Sequence, residues 1–147
     1  VNYAKRVMPG LVLTSDVIIG FPGETEADQA AAVAFLEQVG FAAVHVFPYS
    51  RRPGTKADAM PEQLSHAVKS ARAHEAQRVA DACKQRYLVQ QVGQTLPVLF
   101  ETEHDGSWVG HSDNYCLVRA AGDDLRGLVK NVKISAVSGQ MLVGDLV

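Results

Sequence analysis

The sequence predicts an α/β unit followed by a small all-β barrel, with one long helix between them. Three observations support this fold class. Residues 1–60 alternate strand and helix signals, residues 62–91 contain neither Gly nor Pro, and residues 93–147 consist of short apolar stretches separated by turn residues. The chain has 147 residues, 47% of them hydrophobic and 20% charged, which is typical of a globular protein with one ordinary domain or two small ones.

The first region predicts a strand, a crossover helix and a second strand. Residues 11–21 form the first predicted strand, whose apolar second half is typical of a parallel strand covered on both faces. Thr25 with Asp28 resembles a capping box and Gly40 a C-cap, so we expect a helix between them. Residues 41–47 form the second strand, and the connection between the strands should be right-handed.

A single βαβ unit cannot cover its own sheet. We therefore expect this segment to belong to a larger barrel whose earlier strands are missing. The sequence begins at Val1, in what resembles the last turn of a helix that Pro9 and Gly10 end. This start predicts an excised fragment.

The second region predicts one helix over residues 62–91. Its five basic and three acidic residues give a balance of +2, which is small for a helix of this length. The apolar residues recur at helical spacing and predict a linker helix docked on the barrel, with this stripe as its buried face: Leu64, Val68, Ala71, Val79, Cys83 and Tyr87.

The third region predicts a small closed barrel, because closure removes the exposed edges of a compact all-β domain. Asp105-Gly106 is a strong hairpin signal. The predicted strands are residues 95–100, 107–110, 115–120, 129–137 and 140–147.

Two loops are the candidate ligand-binding segments. Residues 20–25 follow the first predicted strand, and residues 47–55 follow the second. Because the strands are predicted to be parallel, both loops should lie at one end of the sheet, where barrels of this kind bind ligands. Arg51 and Arg52 make the second loop basic, which fits either a solvated surface turn or contact with a phosphate-bearing substrate.

An ordered set of motifs resembles a known family. The set consists of residues 16–25 (DVIIGFPGET), 45–50 (HVFPYS), 52–55 (RPGT), 60–63 (MPEQ) and 110–115 (GHSDNY). It resembles the radical-SAM methylthiotransferases over nearly the whole chain. The forms HVFPYS and GHSDNY favour the branch that acts on threonylcarbamoyladenosine in tRNA. Family members usually have proline where Arg51 stands.

The resemblance implies three parts. Residues 1–60 would be the last βαβ part of a partial TIM-like (β/α) radical-SAM barrel, 61–92 a linker helix, and 93–147 a TRAM domain, which is a small OB-like β-barrel associated with tRNA binding. The resemblance also implies that S-adenosylmethionine lies beside these cofactor-binding residues: Ile18, Gly20, Glu24, Phe47, Pro48 and Tyr49. Glu24 could support the loop or bind the cofactor directly.

The implied activity of the intact enzyme is methylthiolation of C2 of N6-threonylcarbamoyladenosine next to the anticodon. It would use S-adenosylmethionine and two 4Fe-4S clusters, whose ligands are cysteine thiolates in clusters of this type. Cys83 and Cys116 lack ligand spacing, and His104 and His111 indicate no metal site. We therefore expect buried thiols, no catalytic or metal residues in this chain, and an inactive fragment that depends on the missing N-terminal portion of the same polypeptide.

The partner implied is tRNA, although the net charge of −2 provides no overall positive field. Residues 93–147 carry four basic and seven acidic residues, so binding would need a local strip with Tyr115 or Trp108 stacking on a base. The alternative is that the aromatics are core and the basic residues solvated. The candidate RNA-binding residues are Arg51, Arg52, Tyr115, Arg119, Lys130 and Lys133.

Other interpretations stay open. Within the family these are the isopentenyladenosine-tRNA and ribosomal-protein branches, and outside it a stand-alone RNA-binding module. No apolar run approaches the roughly 20 residues that span a bilayer, and no signal peptide opens the sequence. Cysteine usage fits a reducing compartment, so we expect no membrane partner and a cytoplasmic location.

Overall fold

The computed structural model describes residues 1–147, which form two compact units, 1–84 and 85–147. None of its helices combines the length and the apolar character that crossing a bilayer requires. In chain order the elements are α1 (Asn2–Val7), β1 (Thr14–Ile19), α2 (Glu26–Val39), β2 (Ala43–Pro48), α3 (His66–Gln91), β3 (Thr95–His104), β4 (Ser107–Ser112), β5 (Leu117–Ala120), β6 (Val129–Ser138) and β7 (Met141–Leu146).

The α/β unit contains the predicted strand, crossover helix and strand. Strands β1 and β2 pair in parallel, which confirms that their carboxyl ends share one edge of the sheet. The predicted capping box of α2 is present, since the Thr25 side chain accepts from the Asp28 amide and the Asp28 side chain accepts from the Thr25 amide. Gly40 ends α2 in the left-handed conformation at φ 66°, a geometry that glycine adopts at little cost.

Only one face of this two-stranded sheet is packed. Ile19 is buried in a core with Leu36 and Phe41, and Val17 and Val46 pack against that core. The other face, which the sequence predicts to be covered only within a larger barrel, has no cover from the residues of this chain. Its helices cover one face, so alternating side chains of β1 and β2 stay exposed on the other.

The long helix begins later than predicted, at His66 instead of Glu62. Glu62 has φ 60°, which is incompatible with a right-handed helix, and the Ser65 hydroxyl accepts a hydrogen bond from the Val68 amide. The predicted buried stripe is partly wrong, because Val68 and Ala71 are exposed. Four of the six buried positions of α3 carry small side chains, namely Ala73, Ala76, Ala80 and Cys83, and the other two are Arg72 and Leu88.

The second unit is the predicted closed barrel, with strand order β3-β4-β5-β7-β6. All neighbouring strands are antiparallel except β5 and β7, which are parallel. The turn between β3 and β4 is Asp105-Gly106, with φ values of 51° and 73° that suit a two-residue hairpin. Strand β4 extends to Ser112, and Tyr115 lies in the following turn at φ 60° instead of in the predicted third strand.

The barrel has its own apolar core, which includes Phe100, Val118, Val132 and Leu142. Cys116 is also buried there, and Cys83 is buried in the α/β unit. Neither cysteine forms a disulfide, as the sequence predicts.

Candidate functional site

The side chain of Glu24 holds the loop after β1 in place through a hydrogen bond to its backbone. Gly20 and Gly23 adopt φ values of 77° and 82°, which lets the chain turn sharply at the strand end. The Gly20 amide donates a hydrogen bond of 2.8 Å to the Glu24 carboxylate. A Cβ atom at Gly20 would lie 2.5 Å from Cγ of Lys69, so this position has no room for a side chain.

A buried arginine holds that glutamate in place. Arg72 is 7% exposed and donates to the Glu24 carboxylate at 2.7 Å and to the Glu24 carbonyl at 2.9 Å. Its other terminal nitrogen contacts the carboxylate of Glu26. The pKa of Arg72 is raised, first by the hydrogen bond to Glu26 and against the opposing effect of burial, with Glu24 contributing further. Both carboxylate oxygens of Glu24 are thus occupied within the protein, which favours a supporting role for it.

Four of the predicted cofactor-binding residues line one groove of about 440 Å³ at the carboxyl ends of the two strands: Ile18, Phe47, Pro48 and Tyr49. The β1–β2 register places Ile18 directly beside Phe47, and these side chains are 56% and 51% exposed. Apolar walls of this kind are typical of small-molecule sites. The other two predicted residues, Gly20 and Glu24, lie in the adjoining loop and do not line the groove.

Tyr49 is fixed from several sides. Its amide donates a 2.7 Å hydrogen bond to the Ile19 carbonyl, and its ring meets the Phe21 ring edge-on at 5.2 Å between centroids. The ammonium group of Lys69 lies 5.6 Å from the centre of the same ring. These contacts join the two strand-end loops, so the prediction that they meet at one end of the sheet is confirmed.

The two arginines of the basic loop make different contacts. Arg51 donates to the Asp58 side chain at 2.8 Å and to its carbonyl at 2.9 Å. This ion pair restrains the loop at the position where family members usually have proline. Arg52 lines the groove, and its carbonyl accepts a hydrogen bond from the Thr55 hydroxyl.

The sequence prediction missed Lys69 and Arg72 on α3. Arg72 had a detectable signal, because it lies four residues after Val68 and four before Ala76 on the apolar side of a predicted helix. A charge at such a position indicates a buried partner. Lys69 had no comparable signal, since its contact with Tyr49 depends on tertiary packing.

The candidate RNA-binding residues of the barrel are spread over several elements. Tyr115 is 87% exposed, whereas Trp108 is 6% exposed in the barrel core, so the suggestion that Trp108 stacks on a base is wrong. Arg119 lies on β5, and Lys130 and Lys133 lie on β6, with β7 between these strands. Lys133 is paired in register with Asp145 of β7, so an acidic residue interrupts the basic strip.

The chain's residues fit the two implied cofactors differently. The groove at the strand ends has the size and apolar walls to take the adenosyl part of S-adenosylmethionine. No group of three or more His, Cys, Asp or Glu side chains has an arrangement that could hold a metal ion. The cysteines lie one in each unit, and both are buried, so they do not fit the ligand set of an iron–sulfur cluster.

The fold and the groove define a class of protein: an α/β unit with a groove at its strand ends, followed by a five-stranded barrel. No protein-family model matches the chain. It is 39% identical over 139 residues to the threonylcarbamoyladenosine tRNA methylthiotransferase MtaB of Bacillus subtilis, covering 90% of the chain and 31% of that relative.

Two further relatives are named tRNA-2-methylthio-N(6)-dimethylallyladenosine synthase. The protein of Nitratidesulfovibrio vulgaris is 36% identical over 99% of the chain and 34% of its own length. The protein of Campylobacter jejuni is 34% identical over 97% of the chain and 34% of its own length. These matches confirm the resemblance to the radical-SAM methylthiotransferase family, and the chain spans about a third of the length of the curated relatives it matches.

Proposed function

We propose that this chain is the C-terminal part of a radical-SAM tRNA methylthiotransferase. In this proposal residues 1–60 complete a partial (β/α) barrel, 61–92 are a linker helix and 93–147 are a TRAM domain. The observation that carries the proposal is the groove at the ends of β1 and β2, because four residues implied by the family resemblance line it together. Similarity to tRNA-modifying relatives over nearly the whole chain supports the same assignment.

The groove takes the adenosyl part of S-adenosylmethionine. Ile18, Phe47 and Tyr49 supply apolar and aromatic surface, which suits a purine ring. Gly20 leaves room for the Lys69 stem, and Glu24 fixes the loop through the Gly20 amide and Arg72. In the intact enzyme, the bound cofactor and two iron–sulfur clusters supply the radical and sulfur chemistry at C2 of the adenine. Cluster ligands would come from the remaining portion of the polypeptide, and the chain alone is inactive.

We propose that the substrate is N6-threonylcarbamoyladenosine in tRNA and that the enzyme acts in the cytoplasm. Two observations favour this branch: the motifs HVFPYS and GHSDNY, and the 39% identity to a relative named for that substrate. Identities of 36% and 34% to dimethylallyladenosine enzymes keep that branch as the second candidate.

Nucleoside mass spectrometry of tRNA from a strain lacking the gene tests the assignment. Loss of the methylthio-threonylcarbamoyl nucleoside alone is the expected result, and re-expression of the gene should restore it. Loss of the methylthio-isopentenyl nucleoside instead would move the protein to the second branch. Unchanged tRNA nucleosides would refute a tRNA substrate.

The barrel contributes RNA contacts through the exposed ring of Tyr115 and through Arg119, Lys130 and Lys133, while Arg51 and Arg52 contribute from the α/β unit. Each phosphate contact makes the negative slope of log K against log salt steeper by about 0.7 for single-stranded nucleic acid. Lys130→Glu combined with Lys133→Glu should therefore weaken tRNA binding most at low salt. Unchanged affinity at low salt would remove these two residues from the interface.

A further inference from the structure

A second groove of about 460 Å³ is lined by the end of β2, the loop that follows it and one face of α3. Its polar lining includes Tyr49, Ser50, His66, Lys69, Ser70 and His74. No Asp or Glu lines it. The only side chains in the lining that can carry a charge at neutral pH are therefore cationic ones, which makes the groove suited to an anion.

Lys69 is the fixed charge of this groove. Its stem packs against Gly20, whose missing side chain leaves the space, and its ammonium group lies over the Tyr49 ring at 5.6 Å. No carboxylate lies within 4 Å of it, whereas Arg51 and Arg72 both have acidic partners. A half-buried lysine held by its stem and an aromatic ring keeps its hydrogen-bond donors available for a ligand.

Tyr49 adds a second unsatisfied group. Its hydroxyl oxygen is buried and has no hydrogen-bond partner within the protein. Buried hydroxyl groups are normally satisfied, so an unpartnered one on a residue that lines the groove fits a polar ligand in this region. The groove is larger than a single phosphate group needs, and its serine hydroxyls and histidine nitrogens offer further hydrogen bonds.

We propose that this second groove binds a phosphodiester of the RNA substrate, with Lys69 as its charged contact. The proposal rests on the tRNA-modifying function above and adds a contact site next to the proposed cofactor groove. Because the two grooves share Pro48, Tyr49 and Ser50, RNA bound in one would lie next to the cofactor bound in the other. The loop after β2 would then position substrate and cofactor together.

The test measures binding of the full 147-residue chain to a fluorescently labelled RNA stem-loop at several salt concentrations. Lys69→Met removes the charge and keeps an unbranched apolar stem against Gly20. Arg78→Met is the matched control, because Arg78 is an exposed cation on the same helix outside the groove. We expect Lys69→Met to weaken binding about tenfold at low salt. It should also make the slope of log K against log salt shallower by about 0.7, since one phosphate contact is lost. Arg78→Met should change both values far less, and Lys69→Arg should retain most of the affinity.

Four outcomes would overturn the proposal. Wild-type affinity and slope for Lys69→Met would remove the groove from the RNA interface and leave the proposed function standing. Equal losses in Lys69→Met and Arg78→Met would show a general charge effect. A Lys69→Met variant that binds RNA normally but loses S-adenosylmethionine would assign the groove to the carboxylate of the cofactor. Failure of the unaltered chain to bind the RNA would contradict both this proposal and the RNA contacts of the proposed function.

Discussion

The Glu24 contact with Arg72 should be the strongest polar interaction that supports the proposed cofactor groove. Glu24→Gln removes one charge of a pair whose side chains are 13% and 8% exposed. Removing one partner of a buried ion pair costs about 3–5 kcal/mol. Arg72 would keep its contacts with the backbone carbonyl of residue 24 and with Glu26, so we expect a loss of about 3 kcal/mol, at the lower end of this range. Glutamine has one acceptor oxygen, so its NH2 group would face one of the two donors that Glu24 now accepts from, the Gly20 amide or the Arg72 guanidinium.

Glu26→Gln is the matched control, because it removes the other carboxylate from the same arginine. The hydrogen bond to Glu26 does most to raise the pKa of Arg72, but Glu26 is 88% exposed and water screens its charge. Burial therefore makes the contact with Glu24 the stronger of the two, because an exposed pair contributes less than about 1 kcal/mol.

Native-state hydrogen exchange of the β1 and β2 amides measures the local effect without requiring the two units to unfold together. Glu24→Gln should speed exchange about 150-fold, which corresponds to about 3 kcal/mol, and Glu26→Gln by less than about fivefold. Equal acceleration in both variants would refute the claim that the buried contact with Glu24 dominates.

Three further predictions concern the capping box and the barrel. Thr25→Ala should destabilise the α/β unit by about 1 kcal/mol because its capping box is lost, measured by denaturant unfolding followed by circular dichroism, and an unchanged midpoint would contradict this. Gly110→Ala places a Cβ 2.0 Å from a backbone oxygen of β3 and should destabilise the barrel by about 3 kcal/mol or more, measured by fluorescence of the buried Trp108. Gly139→Ala, which meets no atom within 4 Å but has φ 59°, should cost only about 1–2 kcal/mol, and equal effects would contradict the close-approach argument. Burial raises the pKa of Tyr87 from 10.0 to about 12. The neutral phenol should therefore contribute to the stability of the barrel in full below pH 10, and this contribution should be lost as the pH rises to 12. Tyr87→Phe should abolish that loss of stability.

The sequence was sufficient for the elements whose signals are local. The capping box at Thr25, the C-cap at Gly40 and the Asp105-Gly106 turn each depend on a few neighbouring residues, and each is present. The parallel pairing of β1 and β2 was also predictable from the sequence, because a crossover helix separates the two strands. Helix α3 was misplaced at its start, since Glu62 adopts a conformation that helix propensity does not reveal.

The site was predictable only in part. Motifs indicated Ile18, Phe47 and Tyr49, which the structure brings to one groove. The contacts of Arg72 with Glu24 and of Lys69 with Tyr49 join residues far apart in sequence. The position of Arg72 indicates a buried partner without identifying it as Glu24, and no local pattern indicates the contact of Lys69. Trp108 was suggested as an RNA-stacking residue but lies in the barrel core. Composition alone does not distinguish a core aromatic residue from one that stacks on RNA.

Photolabelling tests the central claim, that the ends of two parallel strands form the adenosyl groove. The polypeptide that carries this chain would be irradiated with a photoreactive adenine analogue of S-adenosylmethionine, and labelled peptides identified by mass spectrometry. Labelling within residues 18–20 and 47–49 that excess S-adenosylmethionine suppresses is the expected result. Labelling confined to other segments, or label in these segments that the unmodified cofactor does not displace, would contradict the account.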